Sequence, residues 1–403
     1  MVQYIKIRNF GPIRDEVEMS FEASEQMEED AYEVRMPDGR KLIKLAYIYG
    51  ANASGKTTVL NAFEFLRKLL LKPITDKAVE LDFDPFLFRD APYQTPSCFE
   101  LAFYVDGVRY VYELDFDKQS VLSEKIVFYQ SAKPTELFSR VTDSEKRLTK
   151  IQFGSKLKIP VREKDLLESN TLHNNTVIGA FAKTNVDIPE LEKLNRWFSD
   201  FLLSMVTSVN DLTEITASQI DNNPEINKWI NLFLNKADDQ VVEVNVRRLG
   251  GARQRKIDFI HSTGKDKNYS LSIIKESSGT KRYFGLGGPL YELIHGSHLL
   301  CIDELETSLH PDLMKHFLQT FLLNSGNSQL LITTHNVALM EDQDFIRRDA
   351  LWFSEKVADG SVSLYSASDF DSTTLRKDAS LINAYKSGRL GAKPNLGSPY
   401  LAE

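Results

Sequence analysis

Eight residues, Gly50-Ala-Asn-Ala-Ser-Gly-Lys-Thr57, restrict this chain more than any others. They lie between an apolar run, Leu45-Ala-Tyr-Ile-Tyr49, that reads as a buried strand, and a stretch in which Val59, Phe63, Leu66 and Leu70 recur at helical spacing. A glycine-bounded turn between a strand and a helix lets backbone N–H groups converge on an anion at a helix N-terminus. The pattern predicts an α/β nucleotide-binding fold in which Gly50, Asn52, Ala53, Ser54, Gly55, Lys56, Thr57 and Thr58 hold phosphate. Lys56 is expected to reach the β- and γ-phosphates of ATP as a point charge, and the Thr57 hydroxyl to take one position on Mg²⁺.

Three later segments add to this in a fixed order. Leu299-Leu-Cys-Ile302 reads as a second buried strand and ends in Asp303 and Glu304. Neighbours on a strand point opposite ways, so Asp303 is assigned to the metal and Glu304 to the attacking water. An exposed acidic strand end accounts for the pair equally well without the loop at Lys56. His335 closes a third apolar strand, Leu330-Leu-Ile-Thr333. The rule that ligands bind at the carboxyl ends of parallel strands puts Lys56, Glu304 and His335 at one rim, with His335 as a γ-phosphate sensor. Ser277, Ser278 and Gly279 precede a helical stretch from Thr280 to Ile294. They suit an anion presented by another molecule, although a serine cap on a helix is physically sufficient.

Phosphate loop, Glu276-Ser-Ser-Gly-Thr280, the Asp-Glu strand and the strand-end histidine, in that order, resemble ABC-type ATPases. The signature is similar to that of the RloA-type (AbiL-like) ATPases of bacterial restriction-linked and abortive-infection loci, relatives of OLD, RecF and chromosome-maintenance heads. Ile5-Lys-Ile-Arg-Asn-Phe-Gly-Pro-Ile13, Asp303-Glu-Leu-Glu-Thr-Ser-Leu-His310 and Tyr385-Lys-Ser-Gly-Arg-Leu-Gly-Ala-Lys-Pro394 resemble that group's first strand, D-loop and C-terminal tail. The resemblance implies a P-loop NTPase of the ABC/SMC-head type: a two-lobed mixed sheet with helices plus a compact helical insertion. It also implies ATP and Mg²⁺ as cofactors, a homodimer or higher oligomer closed around ATP, and Ser308 and His310 at the dimer interface. A separately encoded effector, a nuclease, follows from the same resemblance as a partner in anti-phage defence. The Gln that couples metal to arm in ABC proteins has no clear equivalent; Gln94, in Tyr93-Gln-Thr-Pro96, is the candidate.

The expected organisation is an N-terminal ATPase lobe over 1–134, a mainly helical insertion over 135–240 standing where relatives carry a coiled-coil arm, and a C-terminal ATPase lobe over 241–403. Strands are expected up to about Tyr129, with hairpin turns at Asp106-Gly107 and Asp117-Lys118. Leu191, Leu194, Phe198, Phe201 and Met205 form one helical stripe. Ile226, Trp229, Ile230 and Phe233 form another, with the polar stretch Ser218 to Pro224 between them. No heptad repeat supports a long arm.

A net charge of −8 argues against a surface coated for nucleic acid. One local exception is a hairpin in which Arg247, Arg248, Arg253, Arg255 and Lys256 flank Gly250-Gly251, a candidate DNA contact and the basis of an alternative, RecF-like DNA clamp. Without interleaved aromatic residues it reads as readily as a solvated hairpin. Cys98 and Cys301, the two cysteines, have no zinc spacing and are expected to be reduced packing residues. No apolar stretch is long enough to span a bilayer and the chain opens on a strand pattern, so a cytoplasmic location is expected. After His335 the carboxylates Glu341, Asp342, Asp344, Glu355 and Asp359 are scattered, with no nuclease metal constellation.

Overall fold

The computed structural model describes residues 1–24, 31–248, 255–263, 267–341, 346–371, 375 and 379–394. The chain folds into two compact units. The first takes Met1–Met205, Leu299–Asp303 and Gln329–Glu403, and the second Val206–His298 and Glu304–Ser328.

In the first unit the strand Leu45–Tyr49 is buried at every position and lies at the centre of a five-stranded sheet. Its order is Leu299–Ile302, Gln329–Thr334, Leu45–Tyr49, Leu351–Lys356 and Val362–Ser366. The first four strands run parallel and the last antiparallel. Strands buried on both faces read as continuous apolar runs, which is why three of them stood out in the sequence. The unit also holds a seven-stranded antiparallel sheet, with Val2–Arg8 paired between Val17–Ser20 and Ser97–Val105, and a two-stranded sheet of Glu33–Arg35 and Lys41–Ile43. The turn at Asp106-Gly107 has positive φ at both residues, 48° and 78°, the conformation that matches a two-residue hairpin to strand twist. One buried side chain hydrogen-bonds from the five-stranded sheet to the first strand of the seven-stranded one. Gln329, fully buried, accepts the Val2 N–H on Oε1 at 2.6 Å and donates through Nε2 to the Val2 carbonyl at 2.8 Å.

The antiparallel sheet runs further than its alternation suggested. Thr135–Asp143 and Leu148–Phe153 extend it at one edge, so residues expected to open a helical insertion at 135 are strands, and helix begins only at Val161. Their polarity is inverted. Arg140 is 1% exposed and faces its cross-strand neighbour Glu124, also buried, while Val141 and Leu148 face outward. Arg140 donates to the Thr149 hydroxyl and the His173 carbonyl, and burial pushes the Glu124 carboxyl up to about 7. The expected insertion over 135–240 is also divided, residues up to 205 belonging to the first unit and the remainder to the second. The first helical stripe forms the helix Pro189–Phe201 with Leu191, Leu194, Phe198 and Phe201 buried; Met205 lies beyond its end.

In the second unit the polar stretch from Ser218 is helix, not a separator. Leu212–Asn222, capped by Asp211, buries Leu212, Thr216, Ala217 and Ile220. It is followed by the helix Pro224–Ala237 and by a three-stranded antiparallel sheet of Val241–Arg248, Arg255–Ser262 and Asn268–Ser272. The helix Ser278–His295 contains Pro289, whose missing N–H would leave the Gly285 carbonyl, four residues earlier, without its donor. Thr216 supplies the replacement, donating its hydroxyl to that carbonyl at 2.7 Å.

No helix among the described residues is long and apolar enough to cross a membrane. Cys301 is buried and Cys98 half-buried, both as thiols.

Candidate nucleotide site

Parallel pairing brings the carboxyl ends of four strands to one edge of the first unit: Tyr49, Ile302, Thr334 and Lys356 each end there. The phosphate-loop residues leave Tyr49 and enter the helix Lys56–Leu71 through Gly55, which caps it at φ 90°, a conformation that glycine adopts without strain. Ala53 is also left-handed, at φ 59°. Gly50 admits no side chain, since a Cβ would lie 2.3 Å from the Ser354 carbonyl oxygen. Lys56 is buried, and its Nζ donates to the Gly50 and Ala51 carbonyls at 3.0 and 2.9 Å, so the loop folds around its own cation. Asn52 and Ala53 are exposed, Thr57 is half-buried and Thr58 is buried. Ser54 is buried with its hydroxyl unpartnered.

Asp303 receives the Thr57 hydroxyl on Oδ1 at 2.9 Å and the Thr333 hydroxyl on the same oxygen at 2.6 Å. A carboxylate that accepts two hydroxyl protons on one oxygen is oriented, and its Oδ2 makes neither of these bonds. The set suits a hard cation: an anionic oxygen and a threonine hydroxyl held together, as Mg²⁺ requires when phosphate and water fill its other positions. Among the described residues no group of three or more His, Cys, Asp or Glu side chains gathers to form an all-protein metal cage. Thr333 was not singled out in the sequence; its position two residues before His335, on the strand beside Asp303, was the available signal.

His335 is exposed, directly after the strand Gln329–Thr334. It lines a cavity of about 1030 Å³ with Gly50, Asn52, Ser354, Tyr385 and Lys393. Sequence reading therefore located two walls of this cavity, and the structure adds the strand end Ser354 to Ala358 and the tail. Tyr365 clasps the tail by donating to the Leu390 carbonyl at 2.9 Å. Gln94, the candidate metal-coupling residue, sits exposed in a short turn, Pro92–Gln94.

The remaining expected site residues belong to the second unit. Ser277 caps the helix Ser278–His295, accepting the Thr280 N–H at 3.0 Å, and Ser277 and Ser278 are both exposed. At Gly279 a Cβ would come within 3.1 Å of the Ser308 carbonyl oxygen, so the signature packs against the D-loop through its glycine. Ser308 and Glu304 are left-handed, at φ 62° and 50°. His310 caps the helix Pro311–Asn324, with Pro311 at its first turn. In the basic hairpin, Arg253 and the Gly250-Gly251 turn lie outside the described residues. Arg255 pairs with Glu214 and Asp221, Arg248 pairs with Asp221, and Arg247 is exposed.

A family model described as "AAA domain, putative AbiEii toxin, Type IV TA system" matches residues 45–341. No curated protein matches the chain in sequence. Similar solved structures include the SMC head domain from Thermotoga maritima, at 13% identity and a TM-score of 0.43 over 91% of this chain and 98% of that one. An SmcHead bound to the C-winged helix domain of ScpA gives 13% and 0.48 over 91% and 97%. An Smc head domain with an extended coiled coil, bound to the C-terminal domain of ScpA derived from Pyrococcus furiosus, gives 12% and 0.43 over 96% and 98%.

Proposed function

This chain belongs to that AAA domain family, and from this premise we propose that it is an ATPase that closes as a homodimer around ATP, each nucleotide held by the phosphate loop of one subunit and Ser278-Gly279 of the other. The observation that carries the reading is Asp303, held on a single oxygen by Thr57 of the phosphate loop and by Thr333. That arrangement ties the metal-side carboxylate to the loop that binds phosphate. Bound Mg²⁺ would be held by Thr57 and Asp303 and would supply positive charge to the phosphate oxygens. Lys56 turns from the Gly50 and Ala51 carbonyls to the β/γ-phosphates. Glu304 orients and deprotonates the attacking water, and His335 reports whether the γ-phosphate is present. The exposed Ser278 and the half-buried Gly279 stabilise transferring charge across the dimer. Because closure depends on a shared γ-phosphate, hydrolysis releases it.

The biological use of this cycle is a sensor or scaffold in anti-phage defence that controls a separately encoded effector, a nuclease. Its support is the motif resemblance together with a family description that names a toxin of a toxin–antitoxin system. A direct, RecF-like DNA clamp is the weaker reading, because Arg248 and Arg255 are already paired with carboxylates. Charge reversal at Arg247 and Arg248 that lowered DNA affinity and its salt dependence would restore it.

The test is the solution mass of Glu304→Gln with Mg-ATP and without nucleotide. A doubling only with ATP, together with loss of turnover, is expected. Unchanged hydrolysis removes Glu304 from its role, and a constant mass overturns the shared-site dimer.

A further inference from the structure

We propose that His261 is a positioning residue for the signature, acting through Glu276; the inference rests on the reading of Ser278-Gly279 as the trans contact. His261 lies on Arg255–Ser262, the middle strand of the three-stranded sheet, paired with Val241 on one side and Tyr269 on the other. Its Nε2 is 2.7 Å from Glu276 Oε1. The Glu276 side chain is only 6% exposed, and its backbone N–H donates to the Ile273 carbonyl at 3.1 Å. The next two residues, Ser277 and Ser278, are exposed. The signature is thus a buried, hydrogen-bonded carboxylate followed at once by a surface-presented serine pair.

A buried carboxylate stays in place only while it is hydrogen-bonded, and one that loses its donor turns toward water. Here such a turn takes the N-terminus of the helix Ser278–His295 with it, because one residue separates Glu276 from the first helical position. The cap itself is separately secured by the Ser277–Thr280 bond. Loss of His261 therefore re-aims the helix end without unwinding it. A group acting on a transferring phosphoryl tolerates little misplacement, so turnover is expected to fall roughly tenfold to a hundredfold. Nucleotide affinity, set by the phosphate loop, is expected to remain.

Steady-state ATPase kinetics on His261→Leu, His261→Gln, Glu276→Gln and Ser278→Arg test this, with thermal melting of each. His261→Leu is expected to lower kcat with KM for ATP unchanged, and His261→Gln, which keeps a donor, to recover most of the loss. Wild-type kcat in His261→Leu, or equal loss in both His261 variants, overturns the proposal. A KM that rises in step with a lowered melting temperature shows a merely structural residue and also overturns it. If His261→Leu does not fold, the comparison passes to Glu276→Gln, which retains hydrogen bonding and is expected to stay within about threefold of wild type in kcat; a larger loss of kcat, or a loss in KM alone, refutes the positioning role. Ser278→Arg separates the two readings. If it is silent, the trans signature itself is wrong; if it abolishes turnover while His261→Leu is silent, only the positioning role fails.

Discussion

One oxygen of Asp303 takes two hydroxyl protons, from Thr57 and Thr333, and this fixes the direction of the whole carboxylate. Hydrogen bonds to charged groups contribute about 1.5–3 kcal/mol each. Thr333→Val keeps the volume, leaves Thr57 in place and removes one of the two. The half-saturating Mg²⁺ concentration for ATP hydrolysis should then rise about tenfold, while nucleotide binding measured without Mg²⁺ changes little. An unchanged Mg²⁺ requirement would separate Thr333 from the metal. At this scale the sequence singled out Lys56, Thr57 and Asp303 by glycine spacing and a strand-end carboxylate, and the structure brings Thr57 and Asp303 into hydrogen-bond contact. Thr333 was not singled out, since a threonine in an apolar strand reads as ordinary β-branched packing until its neighbour strand is known.

Elements with a clean period were readable and those with a disguised one were not. Leu45–Tyr49 and Gln329–Thr334, buried at every position and built on the apolar runs 45–49 and 330–332, announced themselves. Thr135–Asp143 and Leu148–Phe153 did not, because their inward face carries Arg140 and Thr149 and their outward face Val141 and Leu148. The helix Leu212–Asn222 was hidden by a buried stripe that includes a threonine. That threonine, Thr216, repairs the break made by Pro289 in the helix Ser278–His295. Thr216→Val should leave the Gly285 carbonyl without its hydroxyl donor in the interior, costing about 1–3 kcal/mol. Urea denaturation followed by Trp229 fluorescence, with Trp197 and Trp352 replaced by Phe so that the signal reports on this unit, should show an earlier transition; an unshifted midpoint would mean the helix has another means of satisfying that carbonyl.

For the molecule as a whole, the motif order along the sequence was legible but its division into units was not. The chain leaves the first unit after Met205, returns for five residues, Leu299–Asp303, and leaves again, so that Asp303 and Glu304, adjacent in sequence, are assigned to different units. Periodicity reports local burial and carries no information on which body a segment joins. Nucleotide at a hundred times its Kd stabilises the state that binds it by about 2.7 kcal/mol. Melting of Glu304→Gln should therefore shift upward with Mg-ATP, and Lys56→Ala should show no shift. An equal shift in both would place ATP elsewhere.

The Gln329 amide has a further consequence. With its oxygen on the Val2 N–H and its nitrogen on the Val2 carbonyl, it offers the antiparallel sheet the same pair of bonds that a backbone peptide would. The five- and seven-stranded sheets consequently share a register mark: sliding one past the other by a single residue breaks both bonds at once, in a place where water cannot replace them. The first strand of the chain is in this way indexed to the strand that ends at Thr334, just before His335, more than three hundred positions later in the sequence.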